Sequence, residues 1–273
     1  MSAIADDLVI YDQLEQGSDE WLAARCGMVT ASTIGLLITE GQPDADTVAC
    51  PKEECLAPAG LPCVGVKGND LKTYHPERKQ ALSPILVPAQ TDTARGLITT
   101  LAAERLTGHV WPTRMTEDMW RGQEEEPLAR DKYVETKGVD VEQVGFMVRN
   151  IGGVTLGYSP DGLVGSDGLI EVKSRRGKKH VQTVLSDTVP PENMAQIQAG
   201  LLVSGRSWCD YVSYCGGMAF WTTRVHPDPA WFDAITATLA HAEDAITTIT
   251  SAYEAATDGL PVTERTPEYG EIR

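Results

Sequence analysis

The stretch GYSPDGLVGSDGLIEVKSRR, residues 157–176, predicts a hairpin around which the rest of the chain is organised. Two short apolar runs flank residues 165–168, whose Gly, Ser and Asp content is typical of a turn. In such a hairpin Asp161 opens the first strand, and Glu171 and Lys173 point to one face of the second. Two carboxylates and a lysine on one face suit a hard divalent cation and a water nucleophile.

The alternative is that these charges only form a solvated face, as charged side chains on a hairpin commonly do. The second strand, however, also carries Leu169, Ile170 and Val172, which predict a partly buried position. A charged cluster there is costly unless it is paired or bound to metal. The apolar neighbours therefore favour a site.

Composition restricts the classes of protein. A chain of 273 residues can bury a substantial core, and we expect one domain with insertions. The net charge of −16 argues against a protein that coats nucleic acid non-specifically, but it allows a nuclease whose DNA contact is confined to a groove or channel. No apolar run approaches the ~20 residues that span a bilayer. The N-terminus is acidic where a signal peptide is basic, so we expect a cytoplasmic protein without a membrane partner.

Periodicity and capping residues predict a series of helices and strands around the hairpin. Helices are expected after Ser18, over 91–106, 116–137, 178–186, 192–203 and 229–256, and strands over 139–150, 151–155, 208–214 and 218–225. This order predicts an α/β fold with a central mixed sheet flanked by helices.

Two further groups near helices carry candidate chemistry. Arg25, Thr30 and Ser32 are a cation and two hydroxyls near helix ends, which suits a phosphate; alternatively, the hydroxyls only cap a helix and the guanidinium is solvated. Gln196 and Gln198 share one helix but do not face each other, so at most one should point into a site.

Residues 40–92 interrupt the pattern with a stretch rich in Pro, Gly and polar residues. Cys50, Cys55, Cys63 and His75 lie there at spacings close to those of structural zinc ligands. A segment with so few large apolar residues needs a metal site of this kind to stabilise its fold. The alternative is a flexible loop with unrelated cysteines. The six cysteines of the chain are too few for a disulfide scaffold.

Four ordered blocks resemble the phage lambda exonuclease and YqaJ-type viral recombinase family, within the PD-(D/E)XK nuclease superfamily. They are WLAARCGMVTAS (21–32), RGQEEEPLAR (121–130), SPDGLVGSDGLIEVK (159–173) and NMAQIQ (193–198). The resemblance implies a restriction-endonuclease-like core, with residues 1–273 as a single nuclease domain that carries the 40–92 insertion. Small Cys-Cys-Cys-His zinc modules of actinobacterial phage proteins resemble that insertion.

The resemblance also implies roles for individual residues. Asp161 and Glu171 match acidic metal ligands, Lys173 matches a catalytic lysine, and the carbonyl of Val172 falls where the family offers a ligand oxygen. Among the acids 124–126, Glu126 matches a further ligand. Arg25 and Ser32 match positions that hold the terminal 5′-phosphate of DNA, and Thr30 and Ser159 are further candidates for contact with DNA phosphate. Gln196 or Gln198 matches a position beside the scissile phosphate.

The implied activity is Mg²⁺- or Mn²⁺-dependent hydrolysis of linear duplex DNA, with two ions per site. Family members digest from the 5′ end, leave a 3′ overhang for a single-strand annealing protein, and commonly assemble as trimers. Two alternatives stay open: a helicase-linked or CRISPR-associated nuclease of the same superfamily, and a nuclease-inactive DNA-binding recombination accessory.

Overall fold

A computed structural model describes residues 8–111 and 115–265. Its contacts divide the chain into two units: Met1–Ile38 together with Pro88–Arg273, and Thr39–Val87. The strands are β1 Leu8–Tyr11, β2 Val29–Thr30, β3 Ile38–Gly41, β4 Ile85–Pro88, β5 Val141–Glu142, β6 Phe146–Ile151, β7 Val154–Tyr158, β8 Gly162–Val164, β9 Gly168–Ser174, β10 Trp208–Tyr214 and β11 Trp221–Val225. The α-helices are α1 Asp19–Arg25, α2 Ala31–Ile34, α3 Pro76–Gln80, α4 Asp92–Thr107, α5 Glu117–Lys137, α6 Gly177–Ser186, α7 Pro191–Ser204 and α8 Pro229–Ala256.

The strands of the larger unit form two hydrogen-bonded mixed sheets. One has the order β1-β6-β7-β2, and the other has the order β11-β10-β9-β8-β5. The pairs β2–β7 and β9–β10 are parallel and the other pairs are antiparallel. The predicted α/β class with mixed strands and flanking helices is confirmed, with the strands divided between two sheets.

The two sheets are joined by residues 159–161, which carry the chain from β7 to β8. Pro160 lies in this link and has no N–H with which to continue a strand ladder. The ladder therefore stops after Tyr158, and Asp161 stands at the point where the chain enters the second sheet. The predicted hairpin follows as β8 and β9, in which Gly162 pairs with Ile170.

Capping residues begin and end the helices where the sequence predicts. Ser18 and Thr116 accept from the backbone N–H groups of Trp21 and Met119, and Gly108 and Gly138 end α4 and α5 in the left-handed conformation. The expected boundary between the strands at 150/151 was wrong. The turn lies at Gly152 and Gly153, whose positive φ values of 62° and 95° permit a tight hairpin connection.

The core lies between the sheets and helices α4, α7 and α8. Helix α7 is buried along most of its length, and at Gly200 it lies so close to β7 that a Cβ would come within 2.7 Å of the Tyr158 ring. Helix α5 packs on β9 and β10 from another side, over a second cluster that includes Tyr133 and Val212. Strand β9 is thus covered on both faces, and this places its polar end at the edge of a rigid core.

The unit Thr39–Val87 has little regular structure. Strands β3 and β4 pair with each other, α3 is a single short helix, and Val64 and Asp70 form an isolated bridge. Its buried cluster consists of Cys50, Ala57 and Cys63. No helix within the described ranges is both long and apolar enough to cross a membrane.

Candidate active site

The end of β9 brings together the three residues predicted from the hairpin. Asp161 accepts a hydrogen bond from the backbone N–H of Val172 through Oδ2, at 2.6 Å. The Lys173 ammonium donates to Glu171 Oε1 at 2.5 Å. Glu171 is fully buried, whereas the Lys173 side chain is 24% exposed, so the cluster runs from the core to the surface.

Burial changes the proton affinities of this cluster. Burial raises the pKa of Asp161, although Lys173 and the Val172 N–H oppose the rise. Burial also raises the pKa of Glu171 to about 7, and the neighbouring charge of Asp161 adds to it. For Lys173, burial disfavours the ammonium, but the carboxylates of Glu171 and Asp161 outweigh it and raise the pKa. The cluster therefore holds excess negative charge in a desolvated position.

Helix α5 contributes Glu126, the one acid of the run 124–126 that joins the cluster. Burial and the charge of Asp161 raise the pKa of Glu126 to about 7. Its carboxylate pairs with Arg130 one turn later, and Arg130 Nε donates to the Asp161 carbonyl at 2.9 Å. Arg130 thus ties two acidic residues of different elements together. Glu125 instead accepts from the Ser174 hydroxyl at 2.5 Å.

A cleft of about 350 Å³ opens beside these residues, and it is also lined by Arg25, Thr30, Ser32 and Ser159. Arg25 Nη2 donates to Thr30 Oγ1 at 3.4 Å, and Thr30 Oγ1 lies 3.1 Å from Ser32 Oγ. Trp21 Nε1 donates to Ser159 Oγ at 2.9 Å, and the Arg25 guanidinium lies 4.3 Å from the Trp21 ring centroid. A cation and several hydroxyls therefore share one cleft with Glu126, Asp161 and Lys173.

Of the two candidate glutamines, only Gln196 reaches the cleft. Its Oε1 accepts from Lys173 Nζ at 3.1 Å. Gln198 is 1% exposed, donates to the His226 carbonyl at 2.9 Å and accepts from the Asp228 N–H at 3.0 Å. The structure therefore does not bring Gln198 to the cleft beside Gln196, because residues two apart on a helix point about 200° apart. Gln198 fastens α7 to the start of α8.

Known proteins resemble this chain in both sequence and fold. The family model described as the YqaJ-like viral recombinase domain matches residues 20–207. The chain belongs to this family. The matched range contains all four ordered blocks and the whole acidic cluster.

Solved structures extend the likeness beyond the matched range. LHK-Exo, an alkaline exonuclease from Laribacter hongkongensis, is 25% identical, with 89% of this chain and 100% of that chain covered and a TM-score of 0.63. Its complex with dAMP gives the same coverage and a TM-score of 0.64. A phage-related exonuclease from Haemophilus somnus 129PT shares the fold at 13% identity, with 83% and 96% covered and a TM-score of 0.52. A search of curated protein sequences found no match.

The acidic cluster of this YqaJ-like chain fits a divalent cation. Glu171 Oε2 is buried and has no hydrogen-bond partner within the described ranges, so an oxygen is left for a ligand. Among the described residues, two cations, Lys173 and Arg130, act on the three carboxylates of Glu126, Asp161 and Glu171. Carboxylate oxygens in excess are the donors that Mg²⁺ and Mn²⁺ prefer. The Val172 carbonyl remains a predicted fourth donor.

Sequence reasoning missed three side chains that support the site. Trp21 stands one helical turn before Arg25, and this spacing was a signal that the two side chains meet. Arg130 closes the RGQEEEPLAR block, four residues after Glu126, and that spacing predicts the ion pair. Tyr158, a buried cleft residue whose hydroxyl has no partner in the described parts of the chain, gave no local signal.

The unit Thr39–Val87 brings together the four predicted zinc ligands. One ligand atom each from Cys50, Cys55, Cys63 and His75 lies within 4.8 Å of all the others. All six cysteines lie in described ranges, and none forms a disulfide. Glu126, Asp161 and Glu171 of the larger unit form a separate set with oxygen donors alone. The chain therefore carries two candidate metal centres of different chemistry.

Proposed function

We propose that this YqaJ-like chain is a metal-dependent DNA exonuclease. The observation that carries the proposal is the set of three carboxylates from Glu126, Asp161 and Glu171 beside Lys173. Glu171 Oε2 is buried without a hydrogen-bond partner among the described residues. Glu126, Asp161 and Lys173 line a cleft that also contains Arg25 and its hydroxyl neighbours. A nuclease must hold a phosphodiester beside a polarised water, and these groups supply both requirements. The alkaline exonuclease of the same fold, matched over its whole length, supports the reaction class.

Glu126, Asp161, Glu171 and the Val172 carbonyl would hold Mg²⁺ or Mn²⁺, with two ions per site. When bound, such ions polarise water and the phosphoryl oxygens and offset negative charge. Lys173 is a cation with a raised pKa, so it stabilises charge that develops on the phosphate and orients the attacking water. Gln196 positions the Lys173 ammonium through its 3.1 Å hydrogen bond. Arg130 fixes the position of Glu126 relative to Asp161, because it pairs with the Glu126 carboxylate and donates to the Asp161 carbonyl.

The direction of digestion is the finer part of the proposal. We infer that the strand enters by its 5′ end, because Arg25, Thr30 and Ser32 form an anion-binding group in the cleft that contains the carboxylates. Arginine with hydroxyl donors suits a terminal phosphate, which carries more charge than an internal one. Digestion from that end leaves a 3′ overhang for a single-strand annealing protein. Family resemblance supports assembly as a trimer around the DNA.

The test is digestion of linear duplex labelled at either the 5′ or the 3′ end, in the presence of Mg²⁺ or EDTA. The expected result is early release of the 5′ label as a small product, late release of the 3′ label, and no release in EDTA. Glu126→Gln and Lys173→Ala should each lower the rate by roughly 100-fold or more. Matched controls on exposed positions, Glu124→Gln and Lys178→Ala, should leave it unchanged.

The outcomes separate the competing functions. Early loss of the 3′ label would refute the polarity while the nuclease proposal stands. Metal-independent DNA binding without digestion by the wild type would refute the nuclease and favour the recombination accessory. Digestion that survives Glu126→Gln and Lys173→Ala together would show that the chemistry lies elsewhere on the chain.

A further inference from the structure

We propose that Cys50, Cys55, Cys63 and His75 bind one structural Zn²⁺ that holds Thr39–Val87 in its fold, with buried Arg78 as the charge partner of the metal centre. This proposal does not depend on the nuclease proposal, because all the residues that carry it lie in the smaller unit.

The ligand geometry suits zinc. At a Zn–S distance of about 2.3 Å, the edges of a tetrahedral site measure about 3.8 Å. The four ligand atoms lie within 4.8 Å of one another, and Cys50 Sγ is 3.6 Å from His75 Nδ1. Three sulfurs and one imidazole nitrogen supply the four donors of a tetrahedral site, and no described Asp or Glu belongs to the group. This set is typical of structural zinc and unlike the carboxylate set of the larger unit.

The surroundings present hydrogen-bond donors to the sulfurs. The Val64 N–H donates to Cys55 Sγ at 3.2 Å, and the His75 N–H donates to Cys63 Sγ at 3.5 Å. Backbone N–H groups aimed at sulfur stabilise thiolates, which are the form that binds metal. Backbone N–H groups therefore already point at two of the three sulfurs.

The smaller unit has no ordinary hydrophobic core to replace a metal. Its fully buried apolar cluster is Cys50, Ala57 and Cys63, with Cys55, Leu71 and Tyr74 partly buried against it. The cluster that occupies the place of a core is thus made largely of the candidate ligands. Units shorter than roughly 70 residues with a weak core commonly rely on a metal or on disulfides, and none of the cysteines is paired.

Arg78 provides the second, independent observation. Its side chain is 0% exposed, and its guanidinium donates to four backbone carbonyls, those of Asp46, Val48, Pro58 and Leu61. It also donates to Cys63 Sγ at 3.6 Å. Within the described ranges, no carboxylate lies within ion-pair distance of it. A fully buried guanidinium without an anion is costly.

A zinc centre removes this cost. Zn²⁺ with three thiolates and a neutral imidazole has a net charge of −1, because three negative charges exceed the two positive charges of the ion. Arg78, hydrogen-bonded to one of those thiolates, supplies the opposite charge. The buried cation and the metal site therefore explain each other.

The first experiment measures metal in the untagged, full-length protein after exhaustive dialysis. We expect one zinc per chain in the wild type, in Cys215→Ser and in Glu171→Gln, and none in Cys55→Ser or Cys63→Ser. Cys215 is a free cysteine outside the cluster, and Glu171 belongs to the carboxylate site. Zinc that is absent from the wild type, retained by both cysteine variants, or lost in Glu171→Gln would overturn the assignment.

The second experiment does not require any variant to fold. Replacement of zinc by Co²⁺ in the wild type should produce thiolate charge-transfer bands and the strong visible absorption of tetrahedral Co²⁺, and weak octahedral absorption alone would refute the site. Removal of zinc should expose the bond after Arg78 to trypsin, because that residue is buried only while the unit is folded. Unchanged protection after zinc removal would refute the structural role.

Arg78 is tested by chelator competition for zinc. Arg78→Gln should weaken zinc affinity by roughly 10- to 100-fold, the usual effect of removing a partner of a metal ligand. Arg78→Lys should weaken it less, because the charge is kept. The control Lys79→Gln removes a neighbouring exposed cation and should have no effect. Equal affinity in Arg78→Gln and the wild type would overturn the charge-partner role.

Discussion

Replacement of Glu171 by Gln should stabilise the Mg²⁺-free protein at alkaline pH while it abolishes catalysis. Glu171 is fully buried, and one of its oxygens has no partner in the described structure. Its pKa rises from an ordinary value of 4.5 to about 7, chiefly through burial. The folded state therefore penalises the carboxylate that the site needs for a cation.

The size of the effect follows from that pKa. A tenfold change in proton affinity corresponds to about 1.36 kcal/mol, so a rise from 4.5 to about 7 costs the folded state about 3 kcal/mol once Glu171 is ionised. Glutamine removes this penalty, and the attraction between Lys173 and the carboxylate is already contained in that pKa. We expect a net gain of about 3 kcal/mol above pH 7.

The upward direction of the Glu171 pKa shift determines the pH range in which stability is lost. A raised folded pKa favours the protonated carboxyl, so wild-type stability is complete below pH 4.5 and falls as the pH rises through about 7. The variant should lack this fall. The free energy of unfolding of Glu171→Gln should therefore exceed that of the wild type only slightly at pH 5, and by the full amount at pH 8.5.

The assay is urea unfolding in Mg²⁺-free buffer at several pH values, followed by tryptophan fluorescence. All six tryptophans lie outside Thr39–Val87, so the signal reports the larger unit alone. The control Glu124→Gln, at an exposed position on α5, should follow the wild type at every pH. Added Mg²⁺ should stabilise the wild type at pH 8.5 and the variant much less. An alkaline loss of stability that is equal in Glu171→Gln and the wild type would refute the reasoning.

Three further predictions concern neighbouring residues. Arg25→Ala should reduce the preference for 5′-phosphorylated over 5′-hydroxyl ends by roughly 10- to 100-fold, the value of one charged hydrogen bond, in competition digests. Gln198→Ala should lower the free energy of unfolding by about 1–3 kcal/mol, because its buried side chain loses two hydrogen bonds to part-buried backbone groups, while Gln196→Ala should slow digestion and leave stability nearly unchanged. Arg130→Gln should raise the Mg²⁺ concentration needed for half-maximal digestion by roughly 10-fold or more, whereas unchanged Mg²⁺ dependence would contradict its positioning role.

The acidity of the chain is compatible with this function because its charges are arranged locally. Much of the negative charge near the cleft belongs to the proposed metal ligands, Glu126 and Asp161. The cations Lys173 and Arg25 line the same cleft. Near the start of α5, the Arg121 guanidinium donates hydrogen bonds to the Asp118 carboxylate and to the Ser174 hydroxyl of β9. The net charge of −16 is a sum over the whole chain, and it does not give the local charge where a phosphate would bind.

The amino-acid sequence determined the residues of the candidate site and the limits of most helices. Caps such as Ser18 and Thr116, left-handed glycines such as Gly108, and apolar periodicity are local signals, since each depends on residues within a few positions. The hairpin of Asp161, Glu171 and Lys173 was predictable for the same reason, because alternation along a strand assigns each side chain to a face.

Only the tertiary structure decided which of the candidates meet. It separated Gln196 from Gln198, chose Glu126 for the cleft, and left one oxygen of Glu171 without a partner. It also divided the strands between two sheets at Pro160 and enclosed Arg78 beside Cys63. These outcomes depend on burial and on contacts between residues far apart in the chain, and no local pattern encodes how much water a packed neighbour will exclude.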